Sequence, residues 1–404
     1  MRKQIPLFKV FMSDAAINLS TETLLSGCVG EGPKVIEFEN KLKDRFTRNS
    51  NGYYDVITCN SATSAEHLIY YYLKQPRKLI NYFPWGSTEL NWKGFDVNKH
   101  HVLTTPLTCT ATNFPILLNG MKLKWVDVNP FTMNMDLGDL ENKIDENTRI
   151  ITVVHWGGYP IDLYKLHSIV TAAKKRYGND ILIIEDCAHS FGSTYDGIPL
   201  GFHGNIGTFS TQAIKHLTTV DGGFISSPYK DLTDKSKLLR WYGIDRNTPR
   251  TDFRCEQDIP EIGFKFHMND VNASIGLGNL KYIDDLVNTH KQNADYYSTY
   301  IDKAVLKDVI QFKHEYLNIE IDPAYWLYTI LVEDRPNFMK KMESAGIMTS
   351  RVHERNDKHS SLTEFKTELP LLESFIDNMV CIPVGWWVQP EDREYIIQTI
   401  NSGW

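Results

Sequence analysis

The sequence predicts an α/β protein: a mixed, mostly parallel sheet flanked by helices, with a smaller α+β domain after it. Three observations carry this. From about residue 30, short apolar runs alternate with longer helix-like segments, the pattern of successive βα units. Those runs lack a polar alternation, as strands buried on both faces do. After about residue 260 the alternation gives way to a long helical stretch and scattered strand-like pieces. At 404 residues the chain is too long for one small core, and the division is expected at 1–260 and 261–404.

In chain order, GPKVIEFENKLKDRF (32–46) reads as an amphipathic helix entered through Gly32-Pro33. DVITC (55–59) is a strand and ATSAEHLIYYYL (62–73) a helix. Residues 81–99 follow no period and read as an irregular surface insertion. HVLTT (101–105), MKLKWVDV (121–128), RIITVVHW (149–156) and DILIIEDC (180–187) are strands. DLGDLENKI (136–144) and IDLYKLHSIVTAAKKRYG (161–178) are helices between them. In the second domain, 270–304 is a long helical stretch. Strands at VIQFKH (309–314) and YWLYTILVE (325–333) and a helix at RPNFMKKMESAG (335–346) follow it.

Composition narrows the function classes. Formal charge is −7, from 43 basic and 50 acidic residues, so nucleic acid or an anionic membrane gains no general attraction. The six cysteines (28, 59, 109, 187, 255, 381) are dispersed, with no Cys-x-x-Cys pair. That argues against a thiolate zinc site and for a reduced, cytoplasmic chain. No His-Glu-x-x-His metal motif occurs. The start has no signal-peptide pattern. No run of about 18 apolar residues suggests a membrane span.

In a parallel sheet, ligands bind beyond the carboxyl ends of the strands. DVITC leads into Ser61, Thr63 and Ser64 at a helix start, where hydroxyls and N–H groups favour an anion. DILII leads into Asp186 and His189, and RIITVV into His155. Further on, 209-FSTQAIKHLTTVDGGFISS-227 sets Lys215 among small polar residues, with no acid before Asp221. Each group has an ordinary reading: helix cap, turn acid, satisfied interior histidine, solvated lysine. Together they match pyridoxal phosphate, whose phosphate needs N–H and hydroxyl donors. Its pyridine nitrogen needs a carboxylate, and its aldehyde needs an amine.

These residues stand in segments that resemble the DegT/StrS-type pyridoxal-phosphate-dependent nucleotide-sugar aminotransferases. The likeness runs from SGCVGEGPKVIEFE (26–39) through CNSATSAEHL (59–68), TTPLTCTATN (104–113) and VHWGGYPIDL (154–163). It continues through IEDCAHSFGSTYDGIPLG (184–201), FSTQAIKHLTTVDGG (209–223) and GFKFHMNDVNASIGLGNL (263–280). The resemblance implies the type I (aspartate aminotransferase) fold and a homodimer with shared active sites. It makes Lys215 the Schiff-base lysine and Asp186 the partner of the pyridine nitrogen. His189 takes the place of a glutamine beside the cofactor's phenolic oxygen. Ser61 belongs to the same anion cradle, and Ser210, Thr63 and the Ser64 amide match phosphate contacts. Lys265 lies in the loop that reaches the neighbouring subunit's phosphate. Cys109 stands where the family places an aromatic residue over the cofactor ring.

The same resemblance implies glutamate as amino donor and a nucleotide-linked keto sugar as acceptor, a 4-keto-6-deoxy hexose being the commonest class. A 3-keto sugar or an inosose is the alternative acceptor. Arg240, Arg246, Arg351, His353 and Arg355 are candidates for the acceptor's diphosphate, from charge and position. Keto-sugar 3-dehydratases of the family carry histidine at the lysine position, which Lys215 argues against. A non-catalytic, cofactor-binding regulator is the other reading.

Overall fold

The computed structural model describes residues 4–47, 53–83, 86–246, 252, 258–302 and 319–404. Helices α1 (Asp14–Ser26) and α2 (Pro33–Thr47) precede strand β1 (Asp55–Cys59) and helix α3 (Ala62–Leu73). A hairpin of β2 (Arg77–Phe83) and β3 (Gly86–Trp92) follows. Next come β4 (His101–Thr104), α4 (Thr110–Leu118), β5 (Lys122–Trp125), α5 (Leu137–Lys143), β6 (Thr148–Val154), α6 (Leu163–Tyr177) and β7 (Leu182–Asp186). Two short strands, β8 (Thr194–Tyr195) and β9 (Ile198–Pro199), lead to β10 (Ile206–Ser210), β11 (Gly223–Ser227) and α7 (Lys230–Leu239). The rest comprises α8 (Asp270–Leu280), α9 (Ile283–Tyr300), β12 (Ile321–Asp322), β13 (Tyr328–Leu331), α10 (Arg335–Ser344), α11 (Pro370–Phe375), β14 (Met379–Ile382) and α12 (Pro390–Asn401).

The central sheet has seven strands in the order β1-β11-β10-β7-β6-β4-β5. Only β11 runs against its neighbours; the other pairings are parallel. Its strands are buried because their apolar runs face helices on both sides. Helix α2 buries Val35, Phe38, Leu42 and Phe46, one stripe at helical spacing. Helix α6 starts at Asp162, which accepts from the Lys165 amide. It stops at left-handed Gly178, with Lys174, Lys175 and Arg176 in its last turn.

The structure departs from the sequence reading at three points. Strands β10 and β11, which no periodicity marks, flank the lysine segment. Residues 81–99 are not irregular: most of β2–β3 lies there, and Trp92 is buried with its indole N–H on the Leu73 carbonyl at 2.8 Å. The helical stretch 270–304 breaks at Lys281–Tyr282 into α8 and α9. Helix α8, which follows the expected division at 260/261, packs on α1 and α2. A side chain at Gly278 would meet the Ala16 backbone at 2.3 Å, so that packing requires glycine. The strand expected at 309–314 lies outside the described residues.

Candidate active site

The site forms where strands end. β1 passes through Asn60 into α3, whose cap Ser61 accepts from the Ser64 amide at 3.0 Å. β7 ends at Asp186 and β10 at Ser210; the loop 211–222 then carries Lys215 before β11 returns. Two backbone bonds close that loop: Thr219 N–H to Thr211 O at 2.8 Å, and Thr211 N–H to Gly222 O at 2.9 Å. Asn272 of α8 donates to the Thr219 and Asp221 carbonyls at 2.6 and 3.0 Å. The glycine pair is required by crowding. A Cβ at Gly222 would lie 2.3 Å from Thr219 Oγ1, and one at Gly223 2.4 Å from the Ala62 nitrogen.

A cavity of about 700 Å³ opens there, and Ser61, Thr63, Cys109, Asp186, His189, Ser210, Lys215 and His353 all line it. Asp186 is buried; Thr112 Oγ1 donates to its Oδ2 at 2.6 Å and the Ala188 amide to its Oδ1 at 2.9 Å. The Lys215 amine lies 3.4 Å from the centre of the Trp326 ring. Burial pushes that amine down to about 7, against the opposing pull of Asp186.

His189 stacks on Trp326 with ring centres 4.0 Å apart. Burial, then the Lys215 charge, holds it well below the ordinary histidine range, so the ring is neutral. The Gly157 amide donates to its Nδ1 at 3.3 Å, which leaves the ring proton on Nε2. His353 lies parallel to His189, 5.5 Å away, and burial pushes it down to about 4.

Other candidates fall elsewhere. The Ser64 amide is taken by the Ser61 cap, so it is not spare for an anion. Arg240 is buried in ion pairs with Glu31 and Glu39 and donates to the Thr58 carbonyl at 2.8 Å. It ties α7 to β1 and does not reach the cavity. Arg355 makes two bonds to Asp357, at 2.7 and 2.6 Å, and is likewise buried. Arg246 pairs with Glu31 at the surface at 3.2 Å. Arg351, paired with Glu354, lines a second groove that shares Ser350, Val352 and His353 with the cavity. Lys265 rests 3.7 Å from the Trp241 ring centre, beside Asn60, away from its own chain's cavity. None of the described residues of 81–99 lines the cavity.

His155 is an interior group: the Ile161 amide donates to its Nδ1 at 3.2 Å, and its Nε2 meets Glu185 Oε2 at 2.9 Å. Donor-type atoms of His155, Glu185 and Cys187 lie within 4.8 Å of one another. Gly201 and Asn205 take up the remaining capacity of Glu185, at 3.1 and 2.8 Å, so the trio serves packing. Sequence reasoning missed Trp326, Thr112 and Glu66, all close to the cavity or its carboxylate. Thr112 lay inside a quoted segment; Trp326 sits 111 positions from Lys215 by number and carried no signal.

The geometry has relatives. The DegT/DnrJ/EryC1/StrS aminotransferase family model matches residues 85–401. The chain belongs to this family. The solved structure of AtS13 from Actinomadura melliaura is 41% identical and covers 100% of both chains, with a TM-score of 0.88. The sugar aminotransferase CalS13 from Micromonospora echinospora is 40% identical over 99% of this chain and 100% of its own, with a TM-score of 0.86. A curated relative, the UDP-4-amino-4,6-dideoxy-N-acetyl-beta-L-altrosamine transaminase of Campylobacter jejuni, is 28% identical over 74% of this chain and 69% of its own. The fold is therefore the type I fold of sugar aminotransferases, and the chain is an aminotransferase. Members of this family depend on pyridoxal phosphate, and the donor set fits that group. Hydroxyls gather at a helix start, a hydrogen-bonded carboxylate faces an amine of near-neutral pKa, and the glycine pair lets the loop close on α3.

Proposed function

We propose that this aminotransferase uses pyridoxal phosphate to move an amino group from glutamate to a nucleotide-linked keto sugar in amino-sugar biosynthesis. The observation that carries the reading is the convergence of Lys215, Asp186 and the α3 hydroxyls on one cavity. The cofactor supplies an aldehyde that takes up an amino group and a pyridinium ring that accepts the electron pair left by a departing proton.

In this reading Lys215 binds the cofactor's aldehyde carbon. Its free amine would be the base that takes a proton from the donor's α-carbon, a task suited to a group near neutrality. The Asp186 carboxylate, oriented by Thr112 and Ala188, holds a proton on the ring nitrogen. His189 offers Nε2–H to the phenolic oxygen. Ser61, Thr63 and Ser210 bind the phosphate. Trp326, not the Cys109 position, supplies the aromatic surface beside the amine. Lys265 serves the phosphate of a second subunit in a homodimer.

For the acceptor, Arg351 and His353 border the shared groove and are the diphosphate candidates. Arg240 and Arg355 are committed to buried ion pairs. The Campylobacter relative is named for an amine at position 4 of a 4,6-dideoxy sugar. A 4-keto-6-deoxy sugar is the acceptor that yields such a product, and it is the class we assign here. Among the described residues no helix is long and apolar enough to cross a membrane, and we assign the chain to the cytoplasm.

The test is spectroscopic. Glutamate added to the yellow, cofactor-loaded protein is expected to bleach it, and a nucleotide-linked 4-keto-6-deoxy sugar to restore the colour. A protein that binds cofactor but stays yellow with glutamate contradicts the donor assignment. Recovery with 3-keto sugars or inososes alone contradicts the acceptor assignment.

A further inference from the structure

One group in the cavity has no part in the reading above. Glu66 stands on α3 three residues after Thr63, is 2% exposed, and lines the cavity. Thr208 Oγ1 donates to its Oε1 at 3.2 Å. Thr208 is the register partner of Asp186 across β10 and β7, so Glu66 lies on the Asp186 side of the site. Its Oε2 is buried and has no hydrogen-bond partner among the described residues. A buried carboxyl oxygen without a partner is costly to keep, and a site that retains one implies a ligand that satisfies it.

Which hydrogen-bonding role that oxygen plays depends on its proton. The titratable groups facing Glu66 are Asp186 from β7, Cys109 from the head of α4 and Tyr70 on its own helix. Two carboxyl groups in one enclosed site do not both ionise readily. Asp186 accepts two short bonds, from Thr112 and Ala188, whereas Glu66 accepts one long bond. The single long bond leaves Glu66 the carboxyl that keeps its proton. Burial, then the charge of Asp186, pushes the Glu66 carboxyl well above the ordinary range.

We infer that Glu66 is a positioning residue: a neutral carboxylic acid that offers its Oε2–H as a hydrogen-bond donor to the bound cofactor, beside the Asp186 carboxylate. This rests on reading the cavity as a pyridoxal phosphate site. A neutral Glu66 also puts no second negative charge at the end of the ring that must hold a proton. An ionised Glu66 would compete with Asp186 for that proton.

The experiment measures the dissociation constant of pyridoxal phosphate for the cofactor-free wild-type protein and for Glu66→Gln and Glu66→Leu. Circular dichroism checks that each is folded. Glutamine keeps a neutral donor and is expected to bind within about threefold of wild type; leucine removes it and is expected to weaken binding about tenfold. Leucine binding as tightly as wild type overturns the inference, and so does glutamine falling as far as leucine, which would mark a carboxylate. Infrared spectra of the cofactor-free protein at pH 7 give a second readout independent of the cofactor. A protonated-carboxyl carbonyl band that is lost in both variants supports the inference, and its absence from wild type overturns it. Folded wild-type protein that takes up no pyridoxal phosphate defeats the cavity reading, and the inference with it.

Discussion

At the scale of single residues, the distinctive feature is an amine held where it loses its proton near neutral pH. A solvated lysine keeps its charge to about pH 10; Lys215 is pushed to about 7 by burial, and Asp186 offsets only part of that. Its sign follows directly: below about 7 the amine is a cation lying on Trp326, and above it a free base. Competitive labelling of the cofactor-free protein with an amine reagent, read peptide by peptide, is expected to show Lys215 reactivity rising with a midpoint near 7. A midpoint near that of surface lysines contradicts the account. Lys215 and Asp186 were expected at one site from residue type, from the strand end at Asp186 and from the family resemblance, and both line one cavity. Arg355 is locked to Asp357, two positions on, and Arg240 to partners far away in sequence, Glu31 and Glu39; residue type alone did not show that either was taken.

At the scale of elements, the site depends on how closely the β10–β11 loop approaches α3. Gly223 begins β11, pairs with Cys59 of β1, and lies against the first residues of α3. The Gly223→Ala variant forces a methyl group to within 2.4 Å of the Ala62 nitrogen, so backbone must shift where Ser61 and Thr63 are presented. Overpacking of this kind costs about 1–3 kcal/mol. Urea unfolding is expected to show a loss of that size, accompanied by weaker cofactor binding; unchanged stability contradicts the packing account. Five of the seven central strands (β1, β4, β5, β6 and β7) and helices α2, α3, α5 and α6 were legible from periodicity. β10 and β11 were not, because both are five residues long and rich in glycine and serine, and they flank a loop that drew the reading toward its lysine. The β2–β3 hairpin escaped because its polar faces show no buried period, although Trp92 anchors it.

At the scale of the whole molecule, residues from distant stretches of chain complete one cavity. α3 supplies hydroxyls, β7 the carboxylate, the β10–β11 loop the amine, and the segments before β13 and after α10 supply Trp326 and His353. The sheet order explains how, since β7 and β10 are neighbours and β11 turns back to meet β1. The fold class and the anionic, acidic and amino ends of the site could be read from sequence. Its aromatic wall could not, because nothing local marks a tryptophan as lying beside a lysine over a hundred positions away. The most direct test of the whole assembly is to load the protein with pyridoxal phosphate, reduce it with borohydride, and map the modified peptide by mass spectrometry. The account predicts a single phosphopyridoxyl group on the peptide containing Lys215; attachment at another lysine, or none, would contradict it.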